Sequence, residues 1–425
     1  MMALLNVTHR DRALHRVSSE ADGEEWVYQI GIPLQVSATE CGIVLNIRRA
    51  HILTGDLEIG NDLVILDRLE TISTERIVPL NRSDSRPNPN TGRLTLFARY
   101  PIVGGFVPLG AKRPDGSAHP HAGTGFFVSQ IIGFPCDSTI QWAADLPPED
   151  QYHAMELQQV SYDGKSFTVT SSALLADGDL HPDWALTNPG LCHAIPDGDD
   201  LLAGFAGCLD GQPGRAGVLR WQREGDKWRS VAFVPVTPDS SGEATLVRDR
   251  DGSLLFTARG GKTSGHAMRL WRSADGGASW ETLMDQPHIR AGTPISLNRC
   301  ADGSVYFAGN PDRKTDSLGR ALRSNDMRET LLLWPLAPDR TSLLDPIVAR
   351  DCVEDFGLAL PGSIWIADHP VGLTVRLADG QWHHVFCYRV LDRDEVAQDA
   401  PTTPCTGTYV EEIQSDGESG GLWEF

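Results

Sequence analysis

A chain of 425 residues with 40% hydrophobic and 22% charged residues, 42 glycines and 27 prolines can bury a large core and is rich in turns, which excludes a disordered or mainly helical protein. Its formal net charge of −20 opposes nucleic acid and anionic membrane surfaces as partners. The first twenty residues hold no apolar run long enough for a signal peptide or a span. The eight cysteines, at positions 41, 136, 192, 208, 300, 352, 387 and 405, form no CxxC pair, so free thiols in a reducing, cytoplasmic setting are expected.

In chain order, an N-terminal segment (1–23) precedes six units that share one phrase, a glycine turn feeding about six alternating β-formers. The first covers about 24–75, with Gly31–Ser37 and Gly42–Ile47 as its inner strands. The second covers about 75–146, contains Thr91–Phe97, and carries a Gly/Pro/His-rich insertion at 101–123. An extra hairpin is expected at 150–180, and the third unit runs about 186–236. The fourth, at 242–286, contains Asp251–Phe256 (DGSLLF). The fifth, at 292–336, repeats it 51 residues later as Asp302–Phe307 (DGSVYF). The sixth, at 347–390, contains Pro361–Ile366, and a tail at 391–425 or the N-terminal segment closes the ring. No stretch longer than a turn or two has helical periodicity. Short strands at this density predict an all-β fold, a six-bladed β-propeller of four-stranded antiparallel sheets, because radial repetition leaves few open sheet edges.

Within the fourth unit, Ser273–Trp280 reads S-A-D-G-G-A-S-W. The aspartate can accept backbone N–H bonds inside a tight turn, the glycines supply positive φ, and the tryptophan packs back between sheets. This spacing resembles the Asp-box of sialidases and other BNR-repeat proteins, and the likeness covers nearly all of 24–390. The resemblance implies a sialidase-like glycoside hydrolase and assigns roles residue by residue. Glu243 takes the place of the glutamate that assists the nucleophile, and Arg259 that of a carboxylate-binding triad arginine. Arg313 and Arg320 are candidates for the third triad arginine. Arg48, Arg49, His51 and Asp56 resemble the segment holding an arginine and the acid/base aspartate. Two departures stand out. Ile30-Gly31-Ile32-Pro33 lacks the first triad arginine, and Val353-Glu354-Asp355-Phe356 stands where the resemblance places the tyrosine nucleophile, so little activity on a simple sialoside is expected.

Read from the residues themselves, the innermost strand of each blade lines the axis. That singles out Arg49, His51 and Asp56, then Arg99 and Tyr100, then Asn188 and His193. Glu243, Arg259 and His266 follow, then Asn310 and Arg313, and finally Glu354, Asp355, Asp368 and His369. A carboxylate pair across the pocket supplies the acid and base of glycoside cleavage; Asp56 with Glu243 is the preferred pair and Asp355 the reserve nucleophile. Axial histidines, including His119 and His121 of the insertion, are the rival signal. They would serve a uronate lyase or a metal-dependent enzyme. A non-catalytic binding propeller is the third reading. The hydrolase reading calls for a small carbohydrate substrate and no cofactor, the alternative for a divalent metal. The oligomeric state stays open.

Overall fold

The computed structural model describes residues 5–8, 13–14, 26–49, 57, 59–69, 76–140, 145–176, 179, 192–207, 215–237, 240–260, 267–290, 293–311, 328–358, 363–394, 405–415 and 420–425. Among these the chain is almost wholly β, with a single five-residue helix, Cys352–Phe356. The cause is visible in the inner strands. Trp26–Ser37 is buried at every residue after the first, as expected of a strand covered on both faces.

Six antiparallel sheets form the blades of a propeller. Blade one is Trp26–Ser37, Glu40–Arg49, Gly60–Leu66 and Ile77–Arg82. Blade two has five strands, Asp84–Pro87, Leu94–Val107, Thr124–Pro135, Tyr152–Tyr162 and Phe167–Leu175. Blade three is Ile195–Asp197, Asp200–Gly207, Arg215–Glu224 and Lys227–Thr237, and blade four Ser240–Arg248, Leu254–Gly260, Ala267–Ser273 and Glu281–Arg290. Blade five is Ser296–Arg299, Val305–Gly309, Thr330–Pro335 and Ile347–Asp351. Blade six joins Ser363–Arg376, Trp382–Asp394 and Gly407–Gln414 to the N-terminal strand Asn6–Thr8, with Ala13–Leu14 also paired to Gly407–Gln414. Neighbouring inner strands touch around the circle. Trp26–Ser37 packs on Leu94–Val107, that strand on Asp200–Gly207, and so on through Ser240–Arg248, Ser296–Arg299 and Ser363–Arg376 back to Trp26–Ser37.

The core is therefore six seams, one between each pair of neighbours. Phe126 stacks on Trp221 between blades two and three, and Tyr388 on Tyr409 in the seam between blades five and six. Blade four's outer hairpin behaves as its sequence dictates. Asp275 accepts from Ser273 Oγ at 2.8 Å and the Ser279 amide at 2.9 Å. Gly276 and Gly277 sit at φ 73° and 96°, and Trp280 meets Phe256 edge-on in the seam with blade three.

Three boundaries differ from the sequence reading. The hairpin expected as an extra at 150–180 supplies the outer two strands of blade two, since Tyr152–Tyr162 pairs with Thr124–Pro135. Ile347–Asp351 does not open blade six. It pairs with Thr330–Pro335 as the edge of blade five. Both termini close the ring, because Asn6–Thr8 pairs with Gly407–Gln414 of the tail. Pairing register, which no local pattern encodes, decides all three.

The chain's end covers one end of the axis. Leu422 packs against three seams at once, and the Lys112 amide donates to Glu424 O at 2.8 Å. Trp423 is buried edge-on against His119, with ring centroids 5.8 Å apart. His119 of the insertion thus holds the C-terminal peptide, while His121 packs on Trp228 of blade three. We expect Trp423→Ala to cost about 3–5 kcal/mol of stability, read as a lower urea midpoint; an unchanged midpoint would show that the peptide is not part of the folded core.

Candidate functional site

Four inner strands carry the same irregularity. In blade one the register slips between Tyr28 and Gly31, in blade two between Arg99 and Ile102, in blade four between Gly242 and Thr245, and in blade six between Asp368 and Val371. Each slip sets three steps of the inner strand against two of its partner, a one-residue β-bulge that re-aims a side chain. The first residue inside each bulge is polar: Gln29, Tyr100, Glu243 and His369.

Two of these meet. His369 Nε2 lies 3.7 Å from Glu243 Oε1, and both side chains are more than nine-tenths buried. Both residues hold left-handed backbone, φ 54° at Glu243 and 53° at His369. Arg340 alone among the other described non-glycine residues shares positive φ. Such conformations cost of order 1–3 kcal/mol each and persist where the surroundings over-determine them.

Each member is held from behind. Hairpin register places Arg259 opposite Gly242, and its Nη1 donates to both oxygens of Glu243 at 3.2 Å. His369 Nδ1 lies 2.8 Å from Asp368 Oδ1. Asp368, with no exposed surface, is gripped by the fork of Arg389 at 2.8 and 2.9 Å and by Nη1 of Arg328. Burial by itself raises the Asp368 pKa, but Arg389, His369 and Arg328 outweigh it and hold the carboxyl well below its ordinary value. Asp368 therefore stays ionised and fixes the His369 ring with Nδ1–H toward it and Nε2 toward Glu243. Burial lowers the His369 pKa below its ordinary 6.5, with Asp368 opposing that shift only in part, so the ring is neutral and Nε2 can accept a proton. Three guanidinium groups, Arg259, Arg328 and Arg389, face two carboxylates, Glu243 and Asp368. The cluster is left with one positive charge in a chain of net charge −20.

The other sequence candidates are distributed differently. Asp355 is corrected as a nucleophile candidate. It lies on the helix after blade five, paired at 2.7 Å with Arg350, which also binds Glu411 and Tyr388 in the outer strands of blade six. The segment 353–356 is thus off the inner strand. Arg99 binds Asp84 and Glu156 within blade two, and Asn310 ties blades five and six by donating to Thr330 O and Ala367 O. Arg48 is buried on the second strand of blade one, and the backbone of Arg49 ends that strand. His193 stands before blade three, bridged to Gly104, and burial lowers its pKa to about 4. Asp56, His51, Arg313, Arg320, Asn188 and His266 lie outside the described residues. Among the described residues no group of three His, Cys, Asp or Glu could hold a metal ion, and no helix is long and apolar enough to cross a membrane.

Asp368 and His369 are legible in the sequence as inner-strand candidates, His369 as one of the axial histidines of the lyase or metal reading, but neither is linked there to Glu243. Arg328 and Arg389 had no local signal, since only pairing and seam packing bring them to Asp368.

No protein-family model matches the chain, and no curated protein sequence matches it. Solved structures do. A protein of unknown function from Dyadobacter fermentans aligns with TM-score 0.53 and 14% identity, over 95% of this chain and 98% of its own. A mutant of the NanB sialidase from Streptococcus pneumoniae aligns with TM-score 0.53 and 9% identity, over 95% and 70%. A Hadza microbial sialidase aligns with TM-score 0.52 and 13% identity, over 92% and 65%. The likeness shows that the fold is the one these sialidases use.

The two carboxylates are not braced alike. Glu243, 8% exposed, is paired with Arg259, whose side chain is 23% exposed against 10% for Arg328, whereas Asp368 keeps Arg389 and His369 when Arg328 is removed. Removing the partner of a buried carboxylate leaves an uncompensated charge. Arg259→Ala should therefore cost about 3–5 kcal/mol in denaturant unfolding, and Arg328→Ala clearly less. Equal costs would contradict this division of the charge network.

Proposed function

We propose that the protein is a glycoside hydrolase that removes a terminal, anionic sugar of non-standard type, with its site on the propeller axis at Glu243 and His369. The observation that carries this is the Asp368–His369–Glu243 line. It sets an oriented, neutral imidazole beside a carboxylate at the bulged inner strands, on a fold that sialidases share. The cluster's surplus positive charge supports an anionic ligand, and Arg259, its most exposed arginine, is the one we assign to that anion.

In this reading a water lies against His369 Nε2 and Glu243. His369 takes one proton, the water oxygen bonds to the anomeric carbon, and the bond to the leaving oxygen breaks, with Asp368 stabilising the imidazolium that forms. Glu243 holds the water's second hydrogen and stabilises the cationic character of the sugar ring. Asp56 remains our candidate for the acid that protonates the leaving oxygen. Since a histidine, not a tyrosine, faces Glu243, we expect simple sialosides to be poor substrates.

The same oriented histidine also suits elimination from a uronate, in which Nε2 would remove the proton beside the carboxylate and the glycosidic oxygen would leave. An oligosaccharide screen read by mass separates the two, with and without a chelator. Hydrolysis adds one water to the summed products, whereas elimination leaves their mass unchanged and creates a new ultraviolet absorbance.

Glu243→Gln and His369→Ala should each lower turnover by about 10²–10⁴ with folding retained; full activity in Glu243→Gln would sink the assignment. The pH profile tests His369 separately. A base works when deprotonated, and burial moves this group's titration below 6.5. Turnover should therefore hold steady as pH falls from neutral to 6.5 and decline only beneath it. An acid limb centred above 6.5 would contradict a buried histidine base.

A further inference from the structure

Gln29 belongs to the same ring of bulge residues, yet the mechanism above gives it nothing to do. It has no exposed surface, and neither its Nε2 nor its Oε1 meets a hydrogen-bonding partner among the described residues. A buried amide with both ends unpaired is costly and is selected against unless something outside the chain pairs with it.

Its level on the axis is fixed by its neighbours. Gly31, the first residue past the bulge in blade one, would place a Cβ 3.3 Å from Cys387 Cβ. Cys387 pairs in register with Val371, the first residue past the bulge in blade six. Ile30 and Val371 also share one seam cluster. The blade-one bulge therefore stands level with the blade-six bulge, where His369 reaches Glu243. The same contacts correct the reading of Gly31. Its Cβ direction leads into the seam against Thr408 and Cys387, so no side chain there would reach the axis. On blade one the bulge residue Gln29 is the polar group at the axial level.

We propose that Gln29 is a substrate-recognition residue whose amide binds an uncharged hydroxyl or acylamino group of the sugar in the axial site. A glutamine carries no charge and offers one donor end and one acceptor end, which matches a group that both gives and receives a hydrogen bond. The grip on blade one is thus neutral, and the anion is held on the opposite side by Arg259. This rests on the axial site being a sugar site, and the test keeps the two claims apart.

Wild type, Glu243→Gln, Gln29→Met and Gln29→Asn would be titrated with N-acetylneuraminic, glucuronic and galacturonic acids, N-acetylglucosamine and arabinose. Binding would be read as a thermal shift, and the corresponding aryl glycosides would give kcat and KM. Gln29→Met keeps the shape without the polar ends, so the unliganded protein should melt at the same or a higher temperature. Ligand affinity should fall about tenfold or more, with KM rising more than kcat falls. Gln29→Asn, which keeps the amide on a shorter stem, should retain an intermediate affinity and serves as the readout if Gln29→Met does not fold. Unchanged affinity within twofold in either folded variant, with Glu243→Gln inactive, would overturn the role of Gln29 alone. A wild type that none of the five sugars stabilises and whose aryl glycosides are not cleaved would overturn the sugar site and this inference with it.

Discussion

The site depends on one constraint, a single extra residue in the innermost strand of a blade. A regular strand in a propeller sends alternate side chains into the seams on its two faces, and in Trp26–Ser37 those positions are filled by Tyr28 on one side and Ile30, Ile32, Leu34 and Val36 on the other. Nothing in that pattern points at the axis. The bulge breaks the alternation once, and the residue it frees turns to the only side left, inward. Repeated in blades one, two, four and six, it brings Glu243 and His369 to 3.7 Å from one another, while in blade two the bulge residue Tyr100 packs against Ala98, Ile132, Phe134 and Leu146.

That arrangement carries costs which the surrounding structure offsets. Left-handed backbone at Glu243 and His369 is held in place by hairpin pairing on one side and seam packing on the other. The buried Asp368 carboxylate is balanced by two guanidinium groups and an imidazole. These three partners come from the second strand of blade six, from just before the third strand of blade five, and from its own strand. The charge network therefore also ties blade five to blade six. A carboxylate so firmly held keeps the histidine beside it in one tautomer and one direction, and burial keeps that histidine neutral although it touches a carboxylate.

The far end of the axis is treated in the opposite way. There the C-terminal peptide inserts Leu422 among three seams and buries Trp423 against His119. Thr374, whose hydroxyl donates to Arg299 O, is five residues beyond His369, about 16 Å along the strand at 3.3 Å per residue. Its carbonyl borders Gly421 of the plug. In the His119-Pro120-His121 motif, which by composition could have marked a metal or catalytic loop, His119 packs on Trp423 of this closure and His121 on Trp228.

The sequence by itself determined the fold class, because glycine turns and alternating β-formers recur often enough to specify repeated antiparallel sheets. It also determined the blade-four pair, since Glu243 and Arg259 flank one short hairpin whose register is local. It could mark Asp368 and His369 as inner-strand residues, but it could not say that the histidine faces Glu243. Only the tertiary structure decided that, and it also decided which arginines gather at Asp368, that Asp355 stands off the inner strand, that Gln29 and not Gly31 stands at axial level, and that both termini share blade six. The physical reason is the same in each case. Contacts across a seam and the pairing of the closing strand join residues dozens to hundreds of positions apart, so they leave no mark on the local pattern of the strands that carry them.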